Sequence, residues 1–165
     1  ECLAFFCLYE LLTGKLNELY TTADSSSIIL YRMDTFSDLL RRQLPFAASV
    51  IDGLGILPIH FCYKWVCVLF GMDYIGSKLM TLWDYLLSHF DEILDYAYYL
   101  AVAHVAMTEN SLDTNDLNNT LEILTNIHAD DPKTLIEISN RIRDSERTKN
   151  STAVDRFLSF FRQLF

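Results

Sequence analysis

At 165 residues and 51% apolar content, the chain is long enough to bury a sizeable core, which excludes an intrinsically disordered segment and a disulfide-stapled miniprotein. Its 22 acidic against 13 basic residues leave a formal charge of −9, which disfavours a nucleic-acid partner, because phosphate backbones are held by clustered Lys and Arg. The cysteines fall as Cys2/Cys7 and Cys62/Cys67; this spacing puts each pair on different sides of a helix, so neither forms a metal clip.

Apolar residues recur at three- and four-residue intervals nearly throughout, with no sustained alternation bounded by hairpin turns, which predicts an all-α fold of about 8–9 helices. The first runs from Cys2 to Leu12 and stops at Gly14, which can adopt the left-handed conformation of helix ends. A turn over Lys15–Tyr20 leads to Asp24-Ser25-Ser26-Ser27, a run of capping side chains, and to a second helix over Ile28–Gln43. Pro45 interrupts it, and a short helix over Phe46–Leu54 ends in Gly53-Leu54-Gly55.

Pro58 suits the first turn of the next helix, Ile59–Phe70, which ends at Gly71. Ser77–Ser88 and Glu92–Thr108 follow, and these three helices are expected to form the core. Asp113 and Thr114 are positioned to cap a helix reaching Asn126, and Asp131-Pro132 is a strong start signal for another that runs to Arg147. The charged stretch Arg141–Asn150, broken by Asn150-Ser151, reads as a hinge before a last helix from Ala153. The division expected is therefore 1–149 as the main unit and 150–165 as a terminal apolar helix, docked on it or on a partner.

The longest apolar stretches, Ile56–Gly71 and Ala97–Met107, contain Lys64 and His104 and fall short of the roughly 20 residues a membrane span requires. Two sequons, at Asn118 and Asn150, follow no charged-then-apolar leader and read as incidental in a cytoplasmic chain. The chain opens on Glu1 within an apolar helical pattern, which reads as a truncated or processed beginning.

Catalytic and metal signatures are poor. His60, His89, His104 and His128 are scattered, and none stands four residues from another with a glutamate between, so neither a hydrolytic triad nor a zinc site is indicated. In Asp113-Thr114-Asn115-Asp116-Leu117-Asn118 a leucine stands where a calcium loop needs oxygen, and helix capping accounts for the run better. Gly53-Leu54-Gly55 lacks the third glycine and the Lys-Ser/Thr pair of a phosphate loop. Tyr96, Tyr98 and Tyr99, with Trp83 and Tyr85, read as core aromatics, and Asp91, Glu92 and Asp95 as an acidic helix start. No cofactor is implied.

The block Phe61-Cys62-Tyr63-Lys64-Trp65-Val66-Cys67-Val68-Leu69-Phe70-Gly71-Met72-Asp73-Tyr74, followed by Leu82-Trp83-Asp84-Tyr85, resembles the second half of a TBC domain, the GTPase-activating domain for Rab small GTPases. That family carries a basic residue and tryptophan, an apolar run ending in phenylalanine, an acidic-aromatic pair and a Trp-Asp helix. Trp65, Trp83 and Asp84 match; Lys64 stands where arginine is usual, and Asp73-Tyr74 where Glu-Phe is usual. Weaker likeness extends over Glu1–Ile142. Lys64, Trp65, Asp73, Trp83 and Asp84 are thus the signature positions, structural in role.

The resemblance implies an arginine finger and a glutamine finger that act in the nucleotide site of a Rab-type GTPase. Neither the Ile-x-x-Asp-x-x-Arg nor the Tyr-x-Gln pattern occurs here, so no catalytic residue is assigned, and the implied role is that of a C-terminal, supporting part of such a domain. It also implies recruitment to membranes through the GTPase, and a partner for the Cys2 helix, either a preceding half or another copy. A helical interaction scaffold, or a TBC-like binder without catalysis, is the competing reading. Lys64 within an apolar run needs a counter-ion, and Asp73 and Asp84 are the candidates.

Overall fold

The computed structural model describes residues 2–14, 16–17, 25–127 and 129–164, with side chains described for 2–14, 16–17, 29–127 and 129–149. Among the described residues the chain is helical without strands. Among those residues the following α-helices run in order: α1 (Cys2–Thr13), α2 (Ser25–Gln43), α3 (Pro45–Gly53), α4 (Tyr63–Cys67), α5 (Gly76–Leu87), α6 (Ile93–Thr108), α7 (Leu117–Thr125) and α8 (Pro132–Leu164). Short 3-10 turns at Pro58–His60, Phe90–Glu92 and Glu109–Ser111 bend the chain between them.

The centre is α6, whose buried positions, among them Tyr96, Ala97, Leu100, Ala101, His104 and Val105, go all round the helix. Apolar residues on every face make a helix that is stable only when surrounded, and α2, α4, α5, α7 and α8 all pack on α6. The alanines at 97, 101 and 103 keep its girth small, so that neighbours approach closely. Phe36, Phe61, Trp65, Phe70, Leu82, Leu86 and Leu124 fill the space around it. Large core side chains of this kind lose about 3–5 kcal/mol when cut to alanine.

Local signals set the boundaries. Pro45 opens α3 at a position that needs no N–H, and Gly55, at φ 68°, takes the left-handed position just beyond it. Pro132 opens α8, and Asp131 accepts a hydrogen bond from the Lys133 amide at 3.0 Å.

Four expectations change. Gly14 does not end α1 by a left-handed φ; a Cβ there would lie 2.6 Å from the Glu10 carbonyl oxygen, so close backbone approach is what requires glycine. The expected Ile59–Phe70 helix shrinks to α4, because the backbone turns left-handed at Leu69 and Phe70. The cap of α7 is Asp116, which accepts from the Asn119 amide at 2.9 Å, while Asp113 closes a local turn on the Asn115 amide. Finally, α8 is unbroken across Asn150-Ser151, since those residues cost helices only a few tenths of a kcal/mol where glycine or proline would cost about 1–3. The expected docking of the terminal apolar side chains falls outside the described side chains.

Polar links hold α8 on the body. Glu146, nearly buried, accepts from Arg42 Nη2 at 3.0 Å and from Gln43 Nε2, tying it to the end of α2. Tyr85 donates to Asn140 Oδ1 at 3.0 Å, and the Arg143 guanidinium lies 5.7 Å over the Tyr96 ring.

Candidate functional site

The sequence block singled out above folds into a connector between α4 and α5 that reaches α6 and α7. Lys64, on α4, pairs with Asp73 Oδ1 and donates to the Thr125 carbonyl at 2.9 Å, so one ammonium links α4, the connector and the end of α7. The Lys64 side chain is 30% exposed and that of Asp73 only 2%. Asp84 is exposed on α5 and is not the counter-ion. The second Asp73 oxygen, Oδ2, is buried without a hydrogen bond, which makes the carboxylate dependent on Lys64.

Trp65 is fully buried, edge-on to Phe61 and stacked on His104 with centroids 5.0 Å apart. Phe70 also stacks on His104, at 5.1 Å and 9°. The His104 hydrogen bonds fix its tautomer. Its Nδ1 lies 3.0 Å from the Leu100 carbonyl, which can only accept, so Nδ1 carries the proton. Its Nε2 lies 2.7 Å from the Tyr74 hydroxyl. That hydroxyl already accepts from the Ala129 amide at 2.9 Å and so donates to Nε2. Burial pushes the Tyr74 phenol above its ordinary value, against the pull of the Ala129 amide, which keeps it a donor.

Leu69 and Phe70 have φ values of 46° and 65°. Two consecutive left-handed residues with side chains cost about 1–2 kcal/mol each. The turn persists because Phe70 is fully buried against His104 and because Trp83 donates its indole N–H to the Leu69 carbonyl at 2.9 Å. Trp83 is thus the clip of the connector, reaching across from α5.

Trp83 also faces a cleft of about 280 Å³ between α1 and α5. Cys7, Leu8 and Leu11 of α1 form one wall, and Leu69, Trp83 and Leu87 the other. No residue of α1 is buried; Leu3 is 78% exposed, Phe5 63% and Phe6 62%. Met72, Ile75 and Met80 are exposed as well.

The five signature positions therefore divide. Lys64 with Asp73, Trp65 and Trp83 build one connected assembly, while Asp84 stands apart on the surface. Sequence reasoning missed His104 as the hub and the Thr125 carbonyl as the second partner of Lys64; the signal available for the first was a lone histidine inside an apolar helix. His89 bonds the Tyr85 carbonyl at 2.9 Å and stacks on Tyr96 at 3.9 Å, a packing role. His128 lies outside the described residues. All four cysteines are free thiols, Cys2 and Cys7 exposed, Cys62 and Cys67 buried. Among the described residues no three His, Cys, Asp or Glu side chains gather as a metal site, and no helix is long and apolar enough to cross a membrane.

What this arrangement does chemically is hold helices in register and present an apolar surface. The family model for the Rab-GTPase-TBC domain matches residues 1–112. The match runs from α1 to the 3-10 turn after α6 and includes all five signature residues; α7 and α8 lie beyond it, short of the expected reach to Ile142. No curated protein and no solved structure matches the chain.

Proposed function

The chain belongs to the Rab-GTPase-TBC domain family, and from that membership we propose that it serves as the C-terminal, supporting part of a GTPase-activating domain for Rab-type small GTPases. The catalytic arginine and glutamine come from residues outside this sequence. They stabilise the charge that develops on the transferring phosphoryl group and orient the attacking water. The present residues contribute rigidity and binding surface, and the protein reaches membranes through its GTPase partner.

The observation that carries this reading is the family match over a block whose signature residues, Lys64, Trp65 and Trp83, belong to one connected assembly. A connector bonded to α4, α5, α6 and the segment between α7 and α8 transmits position between helices. The exposed apolar α1 supports the view that further protein packs against this chain.

Single-turnover phosphate release from a panel of GTP-loaded Rab proteins tests it. The 165-residue chain alone is expected to leave the intrinsic rate unchanged, and a longer product of the same gene that carries both finger motifs to accelerate it on the order of 10³–10⁵-fold. Acceleration by the chain alone would overturn the assignment of the fingers elsewhere. Binding indifferent to GTP or GDP, with no acceleration by any longer form, would favour a helical scaffold.

A further inference from the structure

We propose that the end of α8, from residue 150 to Leu164, is an amphipathic helix that lies on an anionic lipid surface. The inference rests on α8 alone and involves no GTPase, so it stands or falls separately from the reading above.

The sequence of this stretch sorts itself around a helix. At about 100° per residue, Val154, Phe157, Leu158, Phe160, Phe161 and Leu164 share one arc of about 160°, and no polar residue of 153–164 falls within it. Arg156 and Arg162 fall on the two borders of that arc. Asp155 is the one acidic residue of 150–165, in a chain whose overall charge is −9.

That arrangement selects lipid as the occupant. The arc is broader than the narrow seam of a two-stranded coiled coil. Its phenylalanines are the bulky rings that settle at the boundary between headgroups and acyl chains. Arginines at the borders lay their stems along the apolar surface while their guanidinium heads reach phosphate. A second copy would set arginine borders against arginine borders; an anionic surface reverses that sign.

The fold holds the segment ready. Glu146 pairs with Arg42, and the Lys149 ammonium donates to the Arg42 carbonyl at 3.3 Å, so α8 is clamped to the body up to this point. From Lys149 the helix runs unbroken to Leu164, about 22 Å at 1.5 Å per residue. No glycine or proline follows Pro132, so the segment has no turn by which to fold back. A free helix of this length is marginal in water, but an extension of a packed helix starts from a formed nucleus. The reach also decides the electrostatics: about 22 Å exceeds the Debye length of about 8 Å at physiological salt, so the tip is largely screened from the acidic body. Residues 1–112 carry the family match, and it assigns no partner to α8.

Sedimentation of the 165-residue chain with sucrose-loaded vesicles is the test, comparing phosphatidylcholine alone with phosphatidylcholine containing about one quarter phosphatidylserine. Binding to the anionic vesicles is expected to be roughly five- to tenfold stronger, with the margin shrinking as salt is added. Phe157→Asp with Phe161→Asp should abolish binding to both. Arg156→Gln with Arg162→Gln should remove the preference and leave a weak association that salt does not change.

No binding to anionic vesicles, equal binding to both compositions, or binding that survives the phenylalanine variant overturns the proposal. So does a concentration-dependent dimer that this variant dissolves while vesicles go unbound, because the occupant is then a second copy. A longer product of the same gene that fails to bind vesicles overturns it too, because the rest of the domain then covers the arc. Circular dichroism verifies that the phenylalanine variant folds; should it fail to, the arginine variant, which leaves the apolar arc intact, decides alone.

Discussion

Lys64 ties stability to a single charge. Its partner Asp73 is almost fully buried and has an oxygen with no other hydrogen bond, so removing the ammonium leaves an uncompensated carboxylate. Lys64→Met is expected to lose about 3–5 kcal/mol in urea denaturation, and Lys64→Met with Asp73→Leu to recover most of that, because a matched apolar pair removes the stranded charge. A Lys64→Met protein as stable as the parent would show that the pair is dispensable. Tyr74 poses the neutral version of the problem. Tyr74→Phe strands both His104 Nε2 and the Ala129 amide, at about 1–3 kcal/mol for each buried group. The expected loss of about 2–4 kcal/mol can be read from the same denaturation curves.

At the scale of elements, the attachment of α8 to α2 centres on the Glu146 carboxyl, beside a hydrogen bond from the Lys149 ammonium to the Arg42 carbonyl at 3.3 Å. Burial pushes the Glu146 carboxyl up, but hydrogen bonds from Arg42 and Gln43 outweigh it and hold the group below its ordinary value. A depressed carboxyl stabilises the fold above its unfolded pKa of about 4.3, and that contribution is lost as pH falls through the lower, folded value. Glu146→Gln should therefore lower the thermal midpoint by an amount constant from about pH 7 to pH 5, closing as pH drops below about 4. A difference that persists undiminished at pH 3 would mean that the link between α2 and α8 does not titrate. The connector teaches a related lesson. Its left-handed pair, Leu69 and Phe70, is held from α5 and α6, so the strain of one element is offset by two others.

At the scale of the molecule, the outer face of α1 is energetically distinct from the body, on which Leu11 packs. Phe61 is fully buried, and Phe61→Ala should cost about 3–5 kcal/mol. Phe5 and Phe6 are mostly exposed, and Phe5→Ser with Phe6→Ser should leave stability within about 0.5 kcal/mol. Comparing the two variants by thermal denaturation checks whether α1 is surface rather than core. If the α1 double variant were as damaging as Phe61→Ala, α1 would belong to the core, and the cleft would be an internal cavity instead of an open groove.

The sequence by itself determined the helical class, most helix boundaries and the family block. Those are written in local chemistry: a 3.6-residue apolar period, prolines at first turns, carboxylates before helix starts, and Lys64, Trp65, Trp83 and Asp84 at recognisable spacing. Even the ion pair was legible as an alternative, since a charge within apolar sequence needs a partner. Tertiary structure alone decided that the partner is Asp73 and that Asp84 faces solvent, because the choice depends on how the connector folds back over α4. It also decided that the helix after Pro58 stops at Cys67: nothing near Leu69 forbids a helix, and the left-handed turn is stabilised by Trp83 and His104, 14 and 34 residues further along the chain. Local pattern reports what a segment prefers, and contacts between distant segments, each worth a kcal/mol or more, decide whether that preference is kept.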